Sequence, residues 1–380
     1  MSKHFDTKTV HSGENVDVKS VSKTKPIYQT SVFAFENLDD LEGYFSGEKD
    51  YLYSRMGNPN VNDLAASVAK LENAPAGLAA ASGMAAILSG LLAVVSNGDH
   101  IVAPTDLYGG TYQLLAEELK TFGIEVSFVS FANHENVKSA IQANTKLIYS
   151  ESVTNPFLRV ENIDGLISIA KAYNVKVMID NTFATPYLSQ PYEKGVDLVV
   201  HSATKYIGGH SDVTAGVLVG DEELVQKAKQ KVSNLGANLS PFEAWLGCRG
   251  LKTLSVRMER HVKNAQKLAD RLRKNHLVSK VFYPEFVSEK GNGAIVTVDM
   301  TEKCNVEAFF ENLTWIKIVP SLAGCETSIS YPLGTSHRSL PEDLQKELGI
   351  TKGLIRISVG LEDSADIIEE IEQALLQAAK

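Results

Sequence analysis

Between residues 60 and 240 the chain alternates repeatedly between short apolar, β-branched runs and longer stretches with helical periodicity. DHIVAP, TKLIYSES, VKVMIDNTF, VDLVVHSATK and AGVLVG are apolar at successive positions instead of at every second one, and IEVSFVS is a further strand of the same set. A strand with one face in water would alternate, so these runs read as strands buried on both faces, which suits a parallel sheet covered by helices. The covering helices lie among them in sequence: NDLAASVAKLE, SGMAAILSGLLAVV, GTYQLLAEELKTFG with its glycine stop, and IDGLISIAKAYN. Alternation of this kind argues for an open α/β sheet.

The flanks differ. Residues 1–55 show no sustained periodicity; KPIYQTSVFAF is extended in character and YLYSRMGNPN closes on an Asn-Pro turn signal. So many aromatic residues are not expected to lie free in solution, and the segment is read as an N-terminal arm that packs on something, such as a second subunit. Residues 56–240 form the α/β domain. Residues 241–380 form a second, α+β domain, entered through the long helical stretch LSPFEAWLGCRGLKTLSVRMERHVKNAQKLADRLRKNH, with a kink expected near Gly247 and Gly250. A length of 380 residues suits two such units.

A net charge of −9 and the lack of any Lys/Arg-rich block argue against a nucleic-acid partner. The three cysteines are widely spaced, with no metal-type pair and no disulfide framework, which fits a reducing compartment. No apolar run approaches the roughly 20 residues of a membrane span, and the polar start MSKHFDTKTVHSGENVDVKS has no secretory h-region. A soluble, cytoplasmic protein without a metal is expected.

In open α/β sheets, ligands bind beyond the carboxyl ends of the strands. Three such ends carry polar residues that a structural role does not require. VKVMID ends in Asp180, KLIYSESVTNP in Glu151 and Asn155, and VDLVVHSATK in Ser202, Thr204 and Lys205. The helix that opens at ASGMAA adds the main-chain N–H groups of Gly83 and Met84, an anion site by virtue of free donors and the helix dipole. Singly, each has an ordinary use as a cap, a turn residue or a solvated lysine. Together they supply an amine, a carboxylate, hydroxyls and an anion cradle at one sheet edge. That is the set pyridoxal phosphate needs: a Schiff-base lysine, an acid against the pyridinium nitrogen and a phosphate anchor. Desolvation would lower the lysine below its ordinary value of about 10.4 and free the amine.

The stretches YSRMGNPN, SGMAAI, DLYGGTY, ESVTNP, DNTFATP, HSATKYIGGH, GLKTLSVRMERH and LIRISVGLED, in this order along nearly the whole chain, resemble the pyridoxal-phosphate trans-sulfuration enzymes of cysteine and methionine metabolism. The resemblance implies the fold type I (aspartate aminotransferase-like) architecture, with a large mostly parallel sheet domain and a smaller α+β C-terminal domain. It implies that Lys205 carries the cofactor and acts in catalysis. Asp180 would face the ring nitrogen, and Gly83, Met84, Ser202 and Thr204 the phosphate. Asn155 would touch the ring hydroxyl, and Tyr108 would stack on the ring and assist proton transfer. Tyr53 and Arg55 would reach the phosphate from a neighbouring subunit, as expected for a homotetramer built of dimers that share active sites. Arg356 would bind the α-carboxylate of an amino-acid substrate, a task suited to its planar fork.

Some positions depart from the family pattern. Leu52 stands where cystathionine γ-enzymes carry an acidic residue, which favours a substrate with an uncharged tail. Gly110 stands where methionine γ-lyases carry cysteine. SLAGCETS, Ser321 to Ser328, replaces the usual SLGGxES; Ser321 and Glu326 keep their expected place near the substrate. Cys325 is expected to pack, and His210 and His337 to serve structure. The resemblance implies γ-elimination or γ-replacement on a sulfur amino acid or a homoserine ester. Methionine γ-lyase, cystathionine β-lyase and a non-catalytic cofactor-binding regulator stay open as alternatives.

Overall fold

The computed structural model describes residues 20–338 and 340–380. Seven strands form the larger sheet: β1 (Ala76–Ala80), β2 (His100–Pro104), β3 (Glu125–Val129), β4 (Thr145–Glu151), β5 (Lys176–Asp180), β6 (Leu198–Ser202) and β7 (Gly216–Gly220). They lie in the order β1-β7-β6-β5-β4-β2-β3. Only β7 is reversed, antiparallel to β1 and to β6; the other neighbours are parallel.

Successive strand residues enter opposite apolar layers. Ile148, Val177, Ile179, Val199, Val217 and Val219 pack with helix α2 (Pro59–Glu72) and with the helix Ile163–Tyr173. Their neighbours Leu147, Met178, Leu198, Val200 and Leu218 pack on the other side with helix α3 (Gly83–Val94). Two-sided burial is why these strands lack alternation, each large side chain contributing roughly 1.5–3 kcal/mol.

The arm is less irregular than its sequence suggests. Residues Leu38–Phe45 form helix α1, capped by Asn37, whose side chain accepts from Asp40 N–H at 2.9 Å, with Asp39 and Asp40 in the first turn. Gly43 is its one buried residue, so it has no apolar stripe for periodicity to find. The first nineteen residues of the expected arm lie outside the described residues.

The long helical stretch after residue 240 is two helices, Pro241–Leu251 and Leu254–Leu272. Near the break, a Cβ on Gly250 would stand 2.2 Å from the Gly208 carbonyl oxygen, so glycine is what lets this helix abut the turn after β6. A second sheet follows, in the order β10-β11-β12-β9-β8, from β8 (Val278–Phe282), β9 (Ile295–Met300), β10 (Lys317–Ile318), β11 (Ser328–Ser330) and β12 (Leu354–Ser358). Leu268 and Leu272 of one helix and Ile367 and Ile371 of the helix Ser364–Gln377 pack with it. Among the described residues no helix is long and apolar enough to cross a membrane.

Candidate active site

The carboxyl ends of β4, β5 and β6 stand side by side, with Glu151 paired to Asp180 and Asp180 to Val200. Against them lies the start of α3. Ser82 caps that helix, its hydroxyl oxygen accepting from Ala85 N–H at 3.1 Å. The N–H groups of Gly83 and Met84 find no acceptor among the described residues. A Cβ on Gly83 would sit 2.8 Å from that of Ser202, so only glycine brings the helix start so close to the end of β6. The Ser202 and Thr204 hydroxyls lie beside this cradle; Thr204 Oγ1 also accepts from Ala215 N–H at 3.0 Å and lies 3.2 Å from Ala215 O.

Lys205 follows in the turn out of β6. Its Nζ donates to Ser321 Oγ at 2.9 Å, across 116 residues of sequence. Burial, and secondarily the charge of Arg356, bring its ammonium down to about 8, leaving a substantial neutral fraction in mildly alkaline water. The turn itself is held from behind by Arg257. Its guanidinium donates to the carbonyls of Tyr206 at 2.7 Å, Ile207 at 3.4 Å and Gly250 at 2.8 Å. Sequence reasoning missed this residue. The signal was its place in a buried stripe with Leu254, Met258 and His261, where a solvated arginine does not belong.

Asp180 accepts from Thr182 N–H at 2.9 Å. Burial raises its pKa above the ordinary carboxylate range, while the Thr182 hydrogen bonds and the nearby His201 pull the other way. Tyr108 is placed through its main chain, whose N–H donates to Glu151 Oε1 at 2.8 Å. The same loop is pinned at Asp106, which receives a two-pronged bond from Arg159 at 2.9 and 3.0 Å. The Tyr108 ring lies over Gly110, where an added Cβ would be 2.6 Å from Tyr108 Cε1. The contact is with the far end of a half-exposed side chain that can turn aside, so Gly110→Ala is expected to change kcat by no more than about threefold; steady-state kinetics of the holoenzyme check it.

Arg356, from β12, is buried, and its Nη1 donates to Asn155 Oδ1 at 2.9 Å. Its Nε has no partner and no carboxylate neutralises it among the described residues; burial lowers it to about 10. A buried cation without a counter-ion is costly, and such a group is suited to an anion that arrives from outside. His337 braces Asn155, its Nε2 3.1 Å from Asn155 O and its Nδ1 2.9 Å from Ser336 Oγ; burial takes it to about 4. His210 Nδ1 lies 2.8 Å from Gly208 O. Cys325 Sγ bonds Gly209 O at 3.2 Å, and burial pushes its thiol up.

Gly83, Met84, Tyr108, Asn155, Asp180, Ser202, Thr204, Lys205, Ser321 and Arg356 thus line one cavity of about 240 Å³. Glu151, Thr182 and Ser336 line it too. Leu52, Tyr53, Arg55 and Glu326 do not line it. Leu52 and Tyr53 sit on the arm beside Phe33 and Val32, and Arg55 donates to Ser233 O at 3.0 Å. Glu326 is exposed on the segment between β10 and β11.

A phosphate-bearing aldehyde with a basic ring nitrogen fits this donor set. The unpartnered N–H groups of α3 suit the phosphate, the amine brought down to about 8 suits the aldehyde, and the buried acid suits the ring nitrogen. The fold and the cavity define a pyridoxal-phosphate enzyme.

The model of the Cys/Met metabolism PLP-dependent enzyme family matches residues 6–376, and the chain belongs to that family. It is 41% identical to a cystathionine beta-lyase of Lactococcus lactis subsp. cremoris, over 97% of this chain and 98% of that one. With a cystathionine gamma-lyase of Bacillus subtilis the identity is 40%, over 97% and 98%. The crystal structure of a cystathionine gamma-lyase from Lactobacillus plantarum, complexed with L-serine, superposes with a TM-score of 0.89 at 36% identity, covering 100% of both chains. The chain is a pyridoxal-phosphate-dependent enzyme of the trans-sulfuration group, whose chemistry is elimination and replacement on sulfur amino acids and homoserine esters.

Proposed function

We propose that this enzyme works by γ-elimination or γ-replacement, on L-cystathionine, methionine or an acyl-homoserine, in cytoplasmic cysteine and methionine metabolism. The observation that carries the reading is that one cavity holds both a lysine amine brought to about 8 and a buried guanidinium with no counter-ion. An α-amino acid offers groups for both.

Bound pyridoxal phosphate supplies an electron sink for the carbanion at the substrate's α-carbon. Arg356 holds the α-carboxylate by its fork. With cofactor and substrate bound, Lys205 Nζ would take the α-proton and, once it has passed that proton on, a β-proton, so that the γ-substituent can leave with its bonding electrons and be protonated from the Tyr108 hydroxyl. Asp180 keeps a proton on the ring nitrogen, which favours electron withdrawal. Gly83, Met84, Ser202 and Thr204 hold the phosphate, and Asn155 orients the ring oxygen as well as Arg356. Tyr108 stacks on the ring and moves a proton at its hydroxyl. Ser321 holds the lysine amine, and Leu52 would bear on the substrate's distal end from a neighbouring subunit; Glu326 lies exposed outside its own chain's cavity and is given no contact with the substrate.

Tyr53, Arg55 and Leu52 lie off their own chain's cavity, and we assign them to a neighbour's. Apolar side chains exposed along the arm support this: Val21 is 98% exposed, Leu38 82% and Phe45 66%. A row of this kind marks an interface, and we propose a homotetramer of dimers that share sites. Arg55→Ala is expected to weaken cofactor binding about tenfold or more, and titration of the apoenzyme with pyridoxal phosphate checks it.

The deciding experiment is identification of the 2-oxo acid released from L-cystathionine. 2-Oxobutyrate would establish γ-cleavage and show that Leu52 does not exclude the long substrate. Pyruvate would make the protein a β-lyase, as the name of the Lactococcus relative suggests for that protein. Turnover of methionine or a homoserine ester alone would leave cystathionine excluded at Leu52. No turnover by cofactor-loaded protein on any of these would point to a regulator.

The amine also predicts a pH dependence. Below about 8 Lys205 is mostly protonated and cannot attack an aldehyde; above it the amine is free. The rate at which apoenzyme recaptures pyridoxal phosphate is expected to rise with pH and to reach half its maximum near that value, as stopped-flow absorbance will show.

A further inference from the structure

Two acids stand side by side at the strand ends, and the proposed mechanism uses only one. Glu151, at the end of β4, is 5% exposed, lines the cavity and is paired in register with Asp180. Its Oε1 accepts from Tyr108 N–H at 2.8 Å; its Oε2 has no hydrogen-bond partner among the described residues. From the elements packed around it, Asp180, Asp106, Tyr149 and Tyr108 face it, and Arg159 is the cation that acts on it, weakly. Lys205 and Arg356 line the same cavity. Arg159 is already occupied by Asp106 and Glu161.

Two carboxylates on paired positions of neighbouring buried strands disfavour each other's ionisation, because each desolvated charge repels the other. Hydrogen bonds decide which one keeps the proton. Asp180 is stabilised as an anion by the Thr182 main chain and side chain and by His201. Glu151 has one N–H donor, and burial and the charge of Asp180 both push it well above the ordinary carboxylate range.

We infer that Glu151 is the neutral acid of the site: it positions Tyr108 through Oε1, offers its O–H to the cavity, and leaves the single carboxylate charge to Asp180. The inference rests on the cofactor reading given above. Glu151 acts through Tyr108 and Asp180, and is a positioning residue.

The test compares Glu151→Gln with Glu151→Ala in cofactor-loaded enzyme. The amide keeps an acceptor for Tyr108 and a donor for the cavity, and it carries no charge. Glu151→Ala is expected to lower kcat/KM at least about fiftyfold, and Glu151→Gln to recover all but about fivefold of that loss. The second readout is the pH at which the visible absorbance of the bound cofactor changes. If Glu151 is neutral, Glu151→Gln removes no charge, and the midpoint stays within about 0.3 of a unit. If Glu151 is ionised, its loss removes a negative neighbour from a titrating cation, and the midpoint falls by about one unit. That fall, or a Gln variant as damaged as Ala, overturns the inference. Wild-type protein that develops no visible band with pyridoxal phosphate would overturn the cofactor reading, and the inference with it.

Discussion

Replacing Lys205 by alanine is expected to lower kcat/KM by about ten-thousand-fold, with the fold intact and cofactor still bound without covalent attachment. The size follows from the two duties gathered on one atom. Nζ is both the nucleophile that meets the aldehyde and the base that takes the α-proton, and no other amine lines the cavity among the described residues. Little else depends on the side chain, since its bond is to the Ser321 hydroxyl and the turn is held through main-chain carbonyls by Arg257. The measurement is turnover beside the absorbance spectrum, and full turnover with an unchanged visible band would overturn the site. Added primary amines are expected to restore a small part of the rate, which separates loss of the amine from loss of structure.

Arg356→Met is expected to raise KM about a hundredfold or more, because a charge-assisted carboxylate contact is worth roughly 2–5 kcal/mol. Its effect on stability should have the opposite sign. In the ligand-free protein the guanidinium is buried and meets only the Asn155 amide oxygen, with Nε unpartnered. Replacing a buried ionic group by an apolar one of similar length is often neutral or stabilising by about 1–4 kcal/mol. A variant that binds substrate poorly and melts no lower, or higher, than the wild type is the expected pair of results, read by kinetics and calorimetry of apoenzyme. A variant that melts several degrees lower would mean that the charge is paired in the folded protein.

Much of the larger sheet was legible because its strands are buried on both faces, which leaves continuous apolar runs of β-branched residues. β1 was not, since AGLAA has no β-branched residue. It sits at the sheet edge, held by packing as close as Gly77 against the Ala65 carbonyl. Helix α1 escaped for a different reason: a helix that buries only a glycine carries no stripe. The helix Glu222–Leu235 was passed over as well, being mostly Glu, Gln and Lys between four buried apolar residues.

In the site, Lys205, Asp180, Glu151 and Asn155 could be found as polar residues ending apolar runs. Their partners could not be read from local sequence. The bonds Lys205–Ser321, Arg356–Asn155 and Arg257–Tyr206 span 116, 201 and 51 residues, and only folding brings them together. The expected place of Ser321 and Arg356 came from motif resemblance, and Arg257 was missed.

The reversed strand β7 bears on how the amine can travel. A parallel neighbour would send the chain after β6 through a crossover helix, and the segment after Ser202 could shift with that helix. Here the chain returns directly, and Ser202 is paired with Gly216 across the two strands. The connection that carries Lys205 is clamped at both feet by one ladder and leaned upon by Gly250. The loop is a fixed bracket, and the amine is a pendulum whose whole stroke comes from the torsions of its own methylene stem. A catalytic group mounted this way swings between α-carbon and cofactor without a moving lid, and substitutions that loosen the bracket should blur its arc before they unfold the sheet.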